Sequence, residues 1–394
     1  SISGMKLTQL GVEGLTYEKS HKLNVGVDFK AWNKLSLAID AFYDHRTDIL
    51  VSGSNAVSGI LGMSVPKAND GVVDNKGVEI ALQGVLVKTR DWNVTAGFNI
   101  NFNRGKVDKL ADNVTGLYGT EWATSSTFPR SDYVLKEGRP VGLVRGLTAD
   151  GFYTTNDFTY ENGVYTLKKG VPDVTSAVFP NYHLHSGMNE RPAGQLAYPG
   201  MAKFKDLNDD GFINDDDVDV IGDMTPVHTG GFNINATYKN FDLGLYFNWS
   251  YGNEIYNVNK LAALYGYKEG AVYENKLSIV KDCYKIYDVV NGELVALTTP
   301  EQLNAANANA KLPLAYSENG YVSTLGIEDG SYLRLNTLTL GYTLPKSILQ
   351  KAGISNLRVY GSIYNVFTIT GYSGIDAEVS TSCLLYTSPS PRDA

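Results

Sequence analysis

The chain is poor in charge, cysteine and long apolar runs. Asp, Glu, Lys and Arg make up 19% of its 394 residues, below the roughly 25% of ordinary soluble domains. The net charge of −8 leaves no basic excess for a nucleic-acid partner. The two cysteines, Cys283 and Cys383, give neither a disulfide framework nor zinc-site spacing. Cys283 reads as a partly buried thiol or an inert loop residue. No run of 18 apolar residues exists, which removes a transmembrane helix but not a transmembrane barrel, whose strands alternate. No HExxH, phosphate-binding Walker loop or GxSxG elbow is present, and no pair of carboxylates is placed across a substrate, so the chain reads as a non-enzyme. The sequence starts without Met or a leader, which suggests that a segment precedes residue 1.

What is abundant is alternation. Trp92, Val94, Ala96, Phe98, Ile100 and Phe102 fall on one face, with Asn93, Thr95, Gly97, Asn99, Asn101 and Asn103 on the other. Phe241–Tyr251, Lys22–Lys30 and Leu35–Asp44 repeat the pattern, Phe42 being the exception on its polar face. Four hairpins follow: Lys22–Lys30 with Leu35–Asp44, Asn75–Lys88 with Trp92–Gly105, Gly230–Tyr238 with Phe241–Asn253, and Ser331–Leu344 with Asn356–Thr370. A phase slip after Leu335 predicts a bulge near Asn336. Strands of about 10–14 residues exceed the usual 5–6 and suit a membrane crossing. Short connections at one end and long segments at the other (50–74, 106–229, 254–330) give the asymmetry of an outer-membrane barrel. The fold expected is all-β, an antiparallel transmembrane β-barrel of which about eight strands are present, with long extracellular loops. Strand-like Pro140–Tyr153 is expected to stay within a loop, and Lys276–Ile286 to have weak helical character. A secreted β-sandwich or adhesin would need shorter strands and closer turns.

Several segments carry a specific resemblance. Asn75-Lys76-Gly77-Val78-Glu79-Ile80, Lys203–Gly211 with Val220-Ile221-Gly222, and Tyr238–Leu243 with Gly252–Asn257 are of this kind. So are Tyr332–Pro345, Leu357–Tyr360 and Asn365–Thr368. Together they resemble the SusC/RagA type of TonB-dependent outer-membrane transporter, in the family's order. The resemblance implies a larger barrel of about 22 strands around an N-terminal plug. It also implies a SusD-like lipoprotein as lid, TonB–ExbB–ExbD coupling through the plug region, and an oligosaccharide or sometimes a peptide as cargo. Residues 1–380 then read as a C-terminal part of such a barrel. Residues 381–394 have no alternation and no family counterpart, and read as a non-native tail.

Two sets of residues bear on chemistry. Asp206, Asn208, Asp210, the Phe212 carbonyl, Asn214 and Asp217 have the spacing of an EF-hand-like calcium loop, with Gly211 at the turn. Asp217 replaces the usual, longer Glu; the bland alternative is a hydrated Asp/Asn turn. His183 and His185 lack the further ligands of a metal site. For cargo, the loop aromatics Trp122, Tyr118, Tyr153, Tyr160, Tyr182, Tyr265 and Tyr267 are candidates to stack on sugar rings, against a role in loop packing. Lumen-facing Asn99, Asn101, Asn248 and Arg334 would contact cargo, water or the plug. Active import, a passive porin-like or structural barrel, and a secreted calcium-dependent glycan binder are the function classes open at this point.

Overall fold

A computed structural model describes residues 14–52, 67–111, 114, 116–120, 122–123, 127–179, 191–264, 277–315, 320–350 and 353–378. The tail 381–394 with Cys383, and Tyr182, His183, His185, Tyr265 and Tyr267, lie outside the described residues. Eight long strands form one sheet: β1 Lys19–Ala31, β2 Leu35–Ser52, β3 Lys67–Lys88, β4 Trp92–Lys109, β5 His228–Tyr238, β6 Phe241–Tyr251, β7 Tyr332–Thr343 and β8 Arg358–Thr370. They pair antiparallel in chain order, each with its sequence neighbour. Among the described residues β1 and β8 each have a partner on one side only, so the sheet is an open wall.

The ladder register settles which residues share a face. Val27 is opposite Ile39, Ile39 opposite Ile80 and Ile80 opposite Ile100. Farther along, Phe232 is opposite Phe98 and Phe247. Leu245 is opposite Leu338, which is opposite Ile363. The apolar parity therefore passes through all eight strands without changing side. The polar parity does the same, through Asn24, Phe42, Gly77 and Asn103, or through Asn99, Gly231, Asn248, Arg334 and Thr368. The bulge lies where the sequence places it. Tyr246 pairs with Thr337 and Phe247 with Leu335, leaving Asn336 unmatched, so Leu333, Leu335, Leu338 and Leu340 all stay on the apolar face.

Aromatic rings border the apolar belt at both ends. At the turn end Trp92 lies 4.4 Å from Tyr238 and Phe241 4.7 Å from Tyr342, between ring centroids. At the loop end Phe102, His228, Trp249 and Tyr251 cluster, His228 stacking on Tyr251 at 5.0 Å. Trp92 and Phe102 are ten residues apart, about 33 Å along a strand. A tilt of about 40° reduces that to about 25 Å, the height of a barrel's lipid belt. At the turn end the connections are tight. Trp32 and Asn33 both have positive φ (54° and 52°), and the Lys34 N–H donates to the Ala31 carbonyl at 3.0 Å, a type I′ turn.

One expectation needs correction. Strands β2, β3 and β4 run 18, 22 and 18 residues, well beyond the 10–14 expected. They outrun the lipid belt because their loop-side ends pack on the loops, where Val51 and Val107 are buried. The long loops are also far less polar inside than their composition suggests. The two described loops between β4 and β5 and between β6 and β7 share one hydrophobic core, which contains Tyr153, Tyr165, Tyr198, Phe204, Ile213, Leu303 and Tyr321. Phe204 of the first loop meets Tyr321 of the second at 5.3 Å, and the Tyr165 hydroxyl donates to the Thr298 carbonyl at 2.9 Å. This cap lies at the loop end of the wall. Pro140–Tyr153 stays inside it, as strands Leu143–Leu147 and Ala149–Phe152, and Ser278–Asp282 is a short 3₁₀ turn.

The two faces predict opposite responses to charge. In the intact barrel in lipid vesicles, Leu82→Arg at mid-belt should cost about 2–4 kcal/mol, while Asn99→Arg on the polar face should cost under about 1 kcal/mol. Urea unfolding of the two variants measures the difference; equal costs would mean that the faces are assigned wrongly.

Candidate functional site

The loop-end mouth is where candidate residues gather, but the structure disperses them. Tyr153 is fully buried, and its hydroxyl donates to the Pro172 carbonyl at 2.6 Å. Burial pushes its pKa far up, so the phenol stays neutral and serves the cap core. Tyr160 is half-buried against Tyr165, centroids 4.6 Å apart. Trp122 is half-buried beside Tyr256. The Asp132 carboxylate accepts the backbone N–H groups of Trp122 and Ala123, both at 2.9 Å, and so fixes that strand of loop. Only Tyr118 of the four described candidates is exposed, with the Arg145 guanidinium 4.7 Å above its ring.

Sequence reasoning missed the cleft onto which Tyr118 opens. It has a volume of about 470 Å³ and lies between the loop-side ends of β2–β4 and the short cap strands Leu117–Gly119, Tyr133–Leu135 and Leu143–Leu147. Val51, Val107, Leu110, Leu117, Leu135 and Leu143 give it an aliphatic lining. The signal was available in Val107, Leu110 and Leu117, apolar residues just past the last alternating position of β4.

On the polar face, Arg334 of β7 is buried and holds the segment that follows β8. Its Nη1 donates to Glu378 at 2.6 Å, its Nε to Thr368 Oγ1 at 2.9 Å, and its Nη2 to Asp376. Asn248 points to the same place, donating to the Tyr332 hydroxyl at 3.3 Å. Residues 371–378 therefore form a strap between the polar face of the wall and the cap. Its start is held by Glu328, which accepts the N–H and hydroxyl of Ser373, both at 2.8 Å, and Lys260 Nζ at 2.8 Å. Burial raises the Glu328 carboxyl, but Lys260 and Ser373 outweigh it and hold the pKa below the ordinary value. Asp376 is likewise lowered: burial opposes, and the Glu378 N–H and Arg334 prevail.

The 206–217 loop organises itself. The Gly211 N–H donates to Asp206 Oδ2 at 2.7 Å, and the Phe212 N–H to Asp210 Oδ1 at 2.8 Å. Asn208 and Asn214 both reach Asp210 Oδ2, at 3.0 and 3.5 Å. Asp217 turns away from this group. It is buried, and its two oxygens accept the Leu207 and Asn214 N–H groups at 2.7 and 2.8 Å. Among the described residues no three His, Cys, Asp or Glu side chains converge as a metal site. Asp206, Asn208, Asp210 and Asn214 thus gather on one side of the loop, and Asp217 acts as its backbone clamp.

A wall apolar outside and polar inside, with aromatic borders, tight turns at one end and a folded cap at the other, is the architecture of an outer-membrane β-barrel. Residues 7–189 match the family model described as TonB dependent receptor-like, beta-barrel. The chain is 29% identical over 383 residues to TonB-dependent receptor P3 of Formosa agariphila, an alignment covering 96% of this chain and 32% of the relative. It is 24% identical over 388 residues to TonB-dependent receptor SusC of Bacteroides thetaiotaomicron, covering 96% and 31%. Among solved structures, the RagAB peptide importer in its open-open state superposes with a TM-score of 0.63 at 21% identity, covering 95% of this chain and 34% of that one. Over nearly its whole length the chain is therefore similar to TonB-dependent receptors, SusC among them, and it shares its fold with part of the RagAB importer. It spans about a third of the length of these relatives.

Three outcomes follow at the cap. Asp217→Ala leaves the Leu207 and Asn214 N–H groups without their buried acceptor and should cost about 1–3 kcal/mol in thermal or urea unfolding. Calcium at saturating concentration should leave the wild-type melting midpoint unmoved; a rise abolished by Asp206→Ala would assign an ion to the loop. Cys283 is buried, and burial with Asp282 nearby raises its pKa to about 11, so maleimide should label it only after the cap unfolds. The strap should loosen in acid. Glu328 and Asp376 have depressed pKa values, so their contribution is present at neutral pH and is lost as pH falls through those folded-state values. Amide exchange of 371–378 against pH reads this directly.

Proposed function

We propose that this chain supplies wall and mouth to an active importer of nutrient oligomers across the outer membrane. A SusD-like surface lipoprotein would close over the cap, and TonB–ExbB–ExbD would drive the plug of the whole protein. One observation carries the reading: the polar parity runs unbroken through eight strands and ends under a folded cap rather than at an open mouth. A polar interior suits a hydrated cargo path, and a cap built around Tyr and Phe gives a rigid platform for capture. The relatives named as TonB-dependent receptors support the energy-coupled reading over a passive porin. The continuous apolar outer face argues against a secreted glycan binder. Oligosaccharide is the cargo class we put first, with peptide as the second, favoured by the solved neighbour described as a peptide importer.

Uptake of labelled oligosaccharide and labelled peptide by cells carrying and lacking the gene tests cargo. In the same cells without TonB, uptake should fall to background. Undiminished uptake there would mean a passive barrel, and peptide uptake alone would reverse the cargo order.

A further inference from the structure

Just beyond the loop-end aromatic border, the outward face changes from apolar to cationic. Arg104 is two residues past Phe102 on β4, so it sits about 7 Å farther along the strand. The register places Lys76 of β3 directly opposite Arg104, and Lys106 one row on, opposite Asp74. All three cations are exposed and share the parity of the lipid-facing belt. Like charges directly opposed on a sheet repel. Here nothing in the wall relieves the pair, since Lys76 makes no ion pair with another described residue. Arg104 Nη1 is tied to the Pro226 carbonyl at 3.1 Å, which orients the guanidinium without neutralising it. The carboxylate in the row, Asp74, is already engaged by His45 Nδ1 at 2.6 Å and the Tyr43 hydroxyl at 2.9 Å. Lys106 reaches Asp108 at 3.6 Å, with both side chains half exposed.

We propose that Lys76, Arg104 and Lys106 bind the phosphate of an outer-leaflet lipid head group whose acyl chains lie on the adjoining apolar belt. Two features fit one occupant. The cationic row is continuous with a surface already committed to lipid, and it lies on the side of the long loops, the outer leaflet. An anion between Lys76 and Arg104 removes their repulsion, and its acyl chains would cover Val78 and Phe102, both exposed on the same strands.

The test uses the intact protein, purified in detergent. It is titrated with phosphorylated lipid A and with the dephosphorylated form, and bound lipid is counted by native mass spectrometry. The phosphorylated form should bind more tightly, and Lys76→Gln, Arg104→Gln and Lys106→Gln should each reduce that preference about fivefold. Lys22→Gln, on the polar face, should leave it unchanged. Heat-modifiable gel mobility confirms that each variant is folded, and Lys76→Arg should restore the preference lost in Lys76→Gln. Equal binding of the two lipids to the wild type would overturn the proposal. So would a preference that survives removal of all three cations, or millimolar inorganic phosphate competing as well as the lipid does.

Discussion

Backbone hydrogen bonding in a medium without water is the constraint on which this structure depends. A strand crossing lipid must satisfy every N–H and C=O through its neighbours. That requirement ties β1 to β8 in one antiparallel ladder, each strand beside its sequence neighbour. Once the ladder is set, side-chain direction is no longer free. A shift of one residue in any strand would turn its Leu, Ile and Phe into the lumen and its Asn and Thr into lipid. The bulge at Asn336 shows how tightly the constraint acts. The sequence of β7 slips phase, and one unmatched residue restores every later leucine to the outer face.

Outside the belt a different rule holds. The loops meet water, so their backbone need not pair across strands. They instead bury a conventional core in which Tyr153, Tyr165, Tyr198 and Tyr321 are almost wholly enclosed. Tyrosine is used heavily because it fills volume while its hydroxyl reaches a carbonyl, as Tyr153 does with Pro172 and Tyr165 with Thr298. The strap 371–378 joins the two regimes, since Arg334 projects from the wall and Glu328 from the cap. Wall, cap and strap together make the mouth a folded surface, which suits recognition better than a fringe of separate loops.

Most of the wall was legible because period-two alternation over ten or more residues fits little besides a two-faced strand. The eight strands, their hairpin partners, the common side of the tight turns and the bulge were all readable from residues such as Trp92–Asn103 and Phe241–Tyr251. The site was much less legible. Tyr118, Trp122, Tyr153 and Tyr160 look alike in the sequence, as aromatics in polar company. Their fates differ because burial depends on residues far away in the chain, such as Tyr321 for the core around Phe204. Asp217 has the spacing of a calcium ligand, and only the fold shows that its carboxylate, one carbon shorter than that of Glu, accepts two backbone N–H groups.

The sequence by itself determined that the chain makes a two-faced, membrane-height β-wall, because alternation and strand length are local properties and lipid admits few structures that satisfy them. It also determined the end at which the loops lie. Only the tertiary structure decided how far β2–β4 extend past the belt, which tyrosines are core, that an apolar cleft opens beside Tyr118, and that Arg334 is claimed by Asp376 and Glu378. The physical reason is distance along the chain. A strand's faces follow from its own residues, whereas a core, a cleft and an ion cluster are assembled from segments that meet only after folding.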